Sequence, residues 1–174
     1  MARIIYKNGC DGQNRLACIE GIEIDLFNGQ KALVYPKYAE KSLLDYEKID
    51  EWKAKYLTEI EALKDTDARG NTAELHVLGS PAAEFVSQFS SDAHGLFSLP
   101  SLVAAMEIQD QKKEIDALAE TIDGADLLRD FTSYVWSCSR YGASSGWYAN
   151  GTSGYASINY LYYSYLAVPL VLYR

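Results

Sequence analysis

Residues 147–173 read WYANGTSGYASINYLYYSYLAVPLVLY, a stretch without one acidic or basic side chain in a chain whose formal charge is -8. A pair of core strands accounts for its apolar end. It does not account for Tyr155, Tyr160, Tyr162, Tyr163 and Tyr165 crowded together among Ser, Gly, Asn and Ala. Tyrosine offers a large amphipathic area at low rotamer cost, and Ser, Gly and Asn adapt their hydrogen bonding, so this composition suits a contact surface. Alternation along Tyr148-Ala149-Asn150 and Tyr155-Ala156-Ser157 predicts half-buried strands, with the alanines inward and the Tyr, Asn and Ser side chains outward. The candidate binding residues are Tyr141, Ser144, Tyr148, Asn150, Tyr155, Ser157, Asn159, Tyr160, Tyr162, Tyr163 and Tyr165. Trp136 and Trp147 are assigned to the core, because a sheet needs large apolar anchors.

The same segment excludes several chemistries. Beyond Asp130 there is no Asp, Glu, Lys or His, and the only formal charges are Arg140 and Arg174. General acid–base catalysis and carboxylate-held calcium both lack their groups there. Cys138 has no base near it in sequence, since His76 and His94 lie far upstream, so a nucleophilic role is not expected. Asp65-Thr66-Asp67-Ala68-Arg69-Gly70 imitates the start of a calcium loop, but Arg69 takes a ligand position and His76 stands where the bidentate Glu belongs. It reads as an ordinary loop. Cys10, Cys18 and Cys138 have no metal-ligand spacing and fit reduced thiols better than a disulfide framework. The expectation is a protein with no catalytic residue, metal or cofactor.

The 174 residues, with 48% hydrophobic and 23% charged, suit a single domain with one well-buried core. The net charge of -8 and a pI near 4.7 argue against a nucleic-acid partner, which calls for clustered Lys and Arg. The N-terminus MARIIYKNGCDGQNR carries no signal-peptide pattern, and no run approaches the roughly 20 apolar residues of a transmembrane helix, so a soluble chain without membrane insertion is expected.

Upstream, residues 23–27 and 30–35 alternate around Asn28-Gly29, which predicts a β-hairpin with a type I′ turn, and Pro36 ends it. Tyr46, Ile49, Trp52, Tyr56, Ile60 and Leu63 recur every three or four positions, predicting a long amphipathic helix over residues 38–63. Ser80-Pro81 opens a short helix, Gly95 to Pro100 breaks the chain, and residues 101–122 are helical again, with a kink near Gln109 and a stop at Gly124.

Trp136-Ser137-Cys138-Ser139-Arg140, Trp147, Gly154 and Ser164-Tyr165-Leu166-Ala167-Val168-Pro169-Leu170 occur in an order that resembles the end of C-type-lectin-like proteins. The relatives in question are the formylglycine-generating enzymes and the variable targets of diversity-generating retroelements. Leu99-Pro100-Ser101-Leu102 is similar to the element that opens a helix in that family, and residues 115–124 resemble the helix and turn that follow. The resemblance spans residues 75–173, with the variable-type segment at 136–169. It implies an α+β fold, a C-type-lectin-like domain with an irregular antiparallel sheet and flanking helices, here preceded by the hairpin and the long helix. Residues 1–70 have no counterpart. Arg140 and Val168 replace the usual Glu and Arg, so the family's buried Glu–Arg pair is not implied, and Cys138 in place of Ser lends no support to copper–cysteine chemistry.

Retroelement targets vary where template adenines are randomised, and an Asn codon treated so cannot become Glu, Lys, Gln, Met or Trp. From Tyr141 to Ala167 every residue except Trp147 belongs to the attainable set. Plain Tyr-Ser-Gly richness gives the same set, and an ordinary sheet with polar loops stays open beside it. The resemblance implies non-enzymatic, calcium-independent binding of a protein or glycan on a cell surface, by a cytoplasmic or phage-particle-associated protein. The alternatives are an oxidase of the formylglycine-generating type and a structural assembly subunit, a homo-oligomer in contact through the long helix.

Overall fold

The computed structural model describes residues 1–51 and 58–174. The fold is mixed α and β. Its first sheet is built from β1 (Arg3–Tyr6), β2 (Ile19–Asp25), β3 (Lys31–Val34) and the last strand, β11 (Leu170–Tyr173), in the order β1-β2-β3-β11. All three pairings are antiparallel, so the end of the described chain lies beside its N-terminal hairpin. The second sheet has the order β4-β10-β7-β8-β9. Its strands are β4 (Ala39–Lys41), β7 (Tyr134–Tyr141), β8 (Ser145–Asn150), β9 (Ala156–Tyr160) and β10 (Tyr165–Ala167). Only the β10–β7 contact, Leu166 opposite Val135, is parallel. A small hairpin, β5 (Ser90–Ser91) and β6 (Gly95–Leu96), stands apart.

Among the described residues five α-helices complete the architecture: α1 (Glu59–Lys64), α2 (Ala68–Val77), α3 (Pro81–Val86), α4 (Leu102–Asp110) and α5 (Lys112–Ala119). Their starts are dictated locally. Ser80 and Ser101 each accept a hydrogen bond from the backbone N–H three residues on, and Pro81 sits in the first turn, where its missing N–H costs nothing. The helical run from Ser101 breaks at Gln111, two residues beyond the predicted kink, and Gly124 follows with φ +83°. Asp65 and Asp67 also serve as caps: Asp65 accepts from the Asp67 N–H and the Asn71 amide, and Asp67 accepts from the Gly70 N–H. The sequence that imitates a calcium loop is the junction of α1 and α2.

Two expectations are corrected. The long helix over residues 38–63 is replaced by β4, a 3-10 segment (Tyr46–Glu51) and α1, while Trp52 and Tyr56 lie outside the described residues. Tyr38 is 5% exposed and belongs to the main core, and pairing of β4 with β10 takes the backbone that the helix would have used. Periodicity alone does not weigh that competition. The hairpin of β2 and β3 forms as predicted, but its turn differs: among the described residues no non-glycine has positive φ, so Asn28 cannot take its place in a type I′ turn. Instead Gly29 N–H donates to the Leu26 carbonyl, Gly29 alone turns left-handed at φ +81°, and the Asn28 side chain accepts from the Gln30 N–H.

The main core lies between the first sheet and α4 and α5, where Ile22, Ile24, Val34, Ala105, Ile108, Ile115 and Leu170 meet Val135, Ala149 and Leu166 of the second sheet. Strands from both ends of the chain therefore share one core, which gives residues 1–34 a structural role. A second cluster on the opposite face of β7 and β8 packs Trp136, Cys138 and Tyr148 with Leu43, Leu44, Leu161 and residues of α2 and α3. Trp147 completes the α4 side with Leu102 and Ala62. Burial of side chains this size contributes roughly 1.5–3 kcal/mol each, the dominant favourable term in folding.

Candidate functional site

The tyrosines of the C-terminal segment separate into two populations. Tyr148 is 8% exposed, so its predicted outward position is corrected. β8 is covered on both faces: Trp147 and Ala149 turn to the α4 side, and Tyr148 turns to the cluster around Trp136. Tyr165 stands at the margin of that cluster, with its ring centroid 4.7 Å from Trp136 and 4.8 Å from Tyr148. Its hydroxyl accepts from the Asn159 amide at 2.5 Å, and partial burial raises its pKa against the opposing effect of that hydrogen bond.

The exposed population continues from there as a chain of ring contacts. Tyr163 faces Tyr165 at 6.3 Å and Tyr162 at 5.3 Å, and Tyr162 stacks on Tyr160 at 5.4 Å with planes 6° apart. Tyr46, from the 3-10 segment, meets Tyr162 edge-on at 5.6 Å. Tyr46, Tyr160, Tyr162 and Tyr163 are 74%, 48%, 39% and 45% exposed. Partial burial and the neighbouring phenols raise the pKa of Tyr162. With Ile49 and Ser144, three of these tyrosines, Tyr46, Tyr160 and Tyr162, line a cleft of about 390 Å³. Among these lining residues there is no formal charge.

What holds this cluster in place is Leu161, fully buried between two exposed tyrosines. Its N–H donates to the Ser144 carbonyl, and its own carbonyl accepts from the N–H groups of Leu43 and Leu44. Its side chain shares the core with Leu43 over Gly146, where an added Cβ would fall 2.8 Å from Leu43 Cδ1 and 3.3 Å from Leu161 Cδ2. A packed floor thus fixes the turn, while the rings on either side face outward.

The remaining candidates do not all converge. Ser144, Asn159, Tyr160, Tyr162, Tyr163 and Tyr165 lie in or beside the cluster, and Ser157 occupies the same face of β9 as Asn159. Tyr141 packs edge-on against Trp147 at 5.5 Å. Asn150 and Tyr155 sit at the far hairpin end, where Asn150 caps its own turn by accepting from Thr152. The register of β8 and β9 separates the Ala149–Ala156 pair from the Ser145–Tyr160 pair by four residues, roughly 14 Å. Sequence reasoning missed Tyr46 and Ile49, which looked like the apolar stripe of a helix. No local signal distinguishes that stripe from a cleft wall.

Other groups are occupied structurally. Cys138 is 2% exposed within the Trp136 cluster, so its thiol is not presented to a substrate. Arg140, on β7, pairs with Glu74 of α2, and Val168 is buried in the main core. His94 stacks on Tyr173 at 4.2 Å. The described residues bring together no group of three or more His, Cys, Asp and Glu able to hold a metal, and none of their helices is long and apolar enough to cross a membrane. Compared with known proteins, the chain matches no protein-family model, no curated protein and no solved structure.

Proposed function

We propose that this protein is a non-enzymatic binder that recognises a protein or glycan on a cell surface through the cluster of Tyr46, Tyr160, Tyr162 and Tyr163, carried by a C-type-lectin-like scaffold. The observation that carries the reading is the contrast within one short segment: Leu161 is fully buried while Tyr160, Tyr162 and Tyr163 on either side are about half exposed and in ring contact. Folding alone gives no reason to keep large aromatic rings there. Aromatic anchors beside small polar residues are what interfaces concentrate, and their rigidity keeps the entropic cost of binding low. The scaffold part of the proposal is supported by the resemblance of residues 75–173, by the return of β11 to the N-terminal hairpin, and by the Ser101 cap at the start of α4.

Diversification by a retroelement belongs to the same proposal. It concentrates variation at positions whose side chains the core does not use, and Ser144, Tyr155, Tyr160, Tyr162 and Tyr163 meet that condition. Sequencing this locus in sibling isolates tests it: substitutions gathered at those positions, beside a reverse-transcriptase gene and an invariant template copy, are the expected result. Variation spread evenly along the gene would overturn it. Binding itself is tested with the native protein and the Tyr160, Tyr162, Tyr163→Ser variant on intact host cells and on immobilised glycans. Saturable binding lost in the variant supports the surface, and equal binding by both proteins refutes it.

A further inference from the structure

The loop that joins β1 to β2 holds two of the three cysteines, on a different sheet from the tyrosine cluster. Cys10 is half-buried, Cys18 is buried, and their Sγ atoms lie 2.7 Å apart although the residues are eight positions apart in sequence. The approach is enforced by backbone hydrogen bonds: Lys7 N–H donates to the Cys18 carbonyl, Cys10 N–H to the Lys7 carbonyl, and Cys18 N–H to the Arg15 carbonyl. Gly9 and Gly12, with φ of +78° and +74°, supply the reversals. The Arg15 guanidinium donates through Nε to Cys18 Sγ at 3.2 Å. The whole loop is seated on the turn after α5, where Leu16 N–H donates to the Asp123 carbonyl and Asp123 N–H to the Asn14 carbonyl.

Incidental thiols have no need of this arrangement. A disulfide bond of about 2.05 Å lies within ~1 Å of the present sulfur separation. A cationic donor on one sulfur favours its thiolate, the form that attacks a disulfide. We propose that Cys10 and Cys18 are a reversible thiol–disulfide modification site, closed by exchange with a low-molecular-weight disulfide of the glutathione class. The half-buried Cys10 thiolate attacks the small disulfide RSSR, forming Cys10–S–SR and releasing RS⁻. The Cys18 thiolate then attacks Cys10 Sγ, forming the internal bond and releasing the second RS⁻. The two cysteines lose two electrons and RSSR gains them, while the two cysteine protons end on the released thiols. Hydrogen bonds from Cys10 and Arg15 hold the Cys18 thiol below its ordinary pKa, and the one from Arg15 persists after Cys10 has taken up the small group, which suits the resolving role. Donation to Cys18 and partial burial hold the Cys10 thiol above its ordinary value, so Cys10 reacts first by its greater access and not by a favoured thiolate.

The test uses the full, reduced chain in its native state with glutathione disulfide, quenched over time with iodoacetamide, digested with trypsin and read by mass spectrometry. Cleavage after Lys7, Arg15 and Lys31 places Cys10 in peptide 8–15 and Cys18 in peptide 16–31, so the internal bond appears as a cross-linked peptide pair. The pair should form at least about tenfold faster in the native protein than in urea, and dithiothreitol should reverse it. Closing this loop should raise the melting temperature by about 5 °C. Arg15→Gln should slow closure about threefold or more by reducing the thiolate fraction of Cys18. A persistent glutathione adduct on either cysteine, a bond to Cys138, linkage between chains, closure no faster than in urea, or no reaction at all would each overturn the proposal. The wild-type time course decides this without any cysteine variant having to fold.

Discussion

The two sheets finish their outer faces with opposite chemistry. On the first, Glu23 lies buried at 5% exposure, bonded to Arg3 at 2.8 Å, to Lys31 at 3.0 Å and to the Tyr173 hydroxyl, and Lys31 also bridges to Asp25 at 2.8 Å. These groups come from all four strands, so the network stitches the sheet across its width. On the second, strands β8, β9 and β10 carry no formal charge, and the surface near their edge is made of tyrosines that touch mainly one another. The buried Glu23 carboxylate depends on Arg3, Lys31 and Tyr173 for its hydrogen bonds, so a change in these groups is felt by a charge that water scarcely reaches. A ring in the exposed cluster can be exchanged at little cost to its neighbours, which is the property a recognition surface needs and a structural sheet cannot tolerate.

The largest effect separates the aromatic populations. Trp136 is fully buried and its Nε1 donates to the Lys41 carbonyl at 2.9 Å, so Trp136→Ala should cost about 3–5 kcal/mol, with early melting or aggregation in a thermal scan. Next comes the ionic sheet. Burial opposes the charge of Glu23, but hydrogen bonds from Tyr173, Arg3 and Lys31 outweigh it and hold its pKa below the ordinary carboxylate value. Because the folded pKa is the depressed one, the contribution is fully present above the unfolded value of about 4.3 and is lost as pH falls through the folded value. Glu23→Gln should therefore cost about 2 kcal/mol at pH 7 and remove this part of the acid loss, as read from urea melts between pH 7 and pH 3.

Gly146→Ala probes the floor beneath the cleft. The new methyl crowds Leu43 and Leu161, and repacking should cost about 1–2 kcal/mol while weakening binding on cells by shifting Tyr160 and Tyr162. The Tyr160, Tyr162, Tyr163→Ser variant should lose only about 1 kcal/mol in a thermal melt. If it unfolds as badly as Trp136→Ala, the exposed tyrosines are part of the core after all and the contrast between the populations fails. The smallest effect is that of chelation: with no carboxylate among the described residues that line the cleft, EDTA should leave binding unchanged within error, and a calcium-restored loss would show a ligand set elsewhere.

Much of this molecule follows from local rules. The hairpin around Asn28-Gly29, the caps at Ser80 and Ser101, a break close to the one expected near Gln109, and the core positions of Trp136 and Trp147 all come from side-chain chemistry within a few positions. Those effects act over one or two turns of backbone, so sequence alone resolves them. Tertiary structure decided the rest. Residues 38–63 carry a helical period, yet among the described ones pairing of β4 with β10 and burial of Tyr38 made strand and 3-10 structure up to Glu51, and α-helix forms only from Glu59. Tyr148 and Tyr160 are indistinguishable in sequence. One faces α2 and α3 and the other faces solvent because the helices cover only part of the second sheet. The joining of Tyr46 to Tyr162 and of Cys10 to Cys18 likewise depends on how distant or looped segments are brought together, and no side chain encodes by itself where its neighbours will fold.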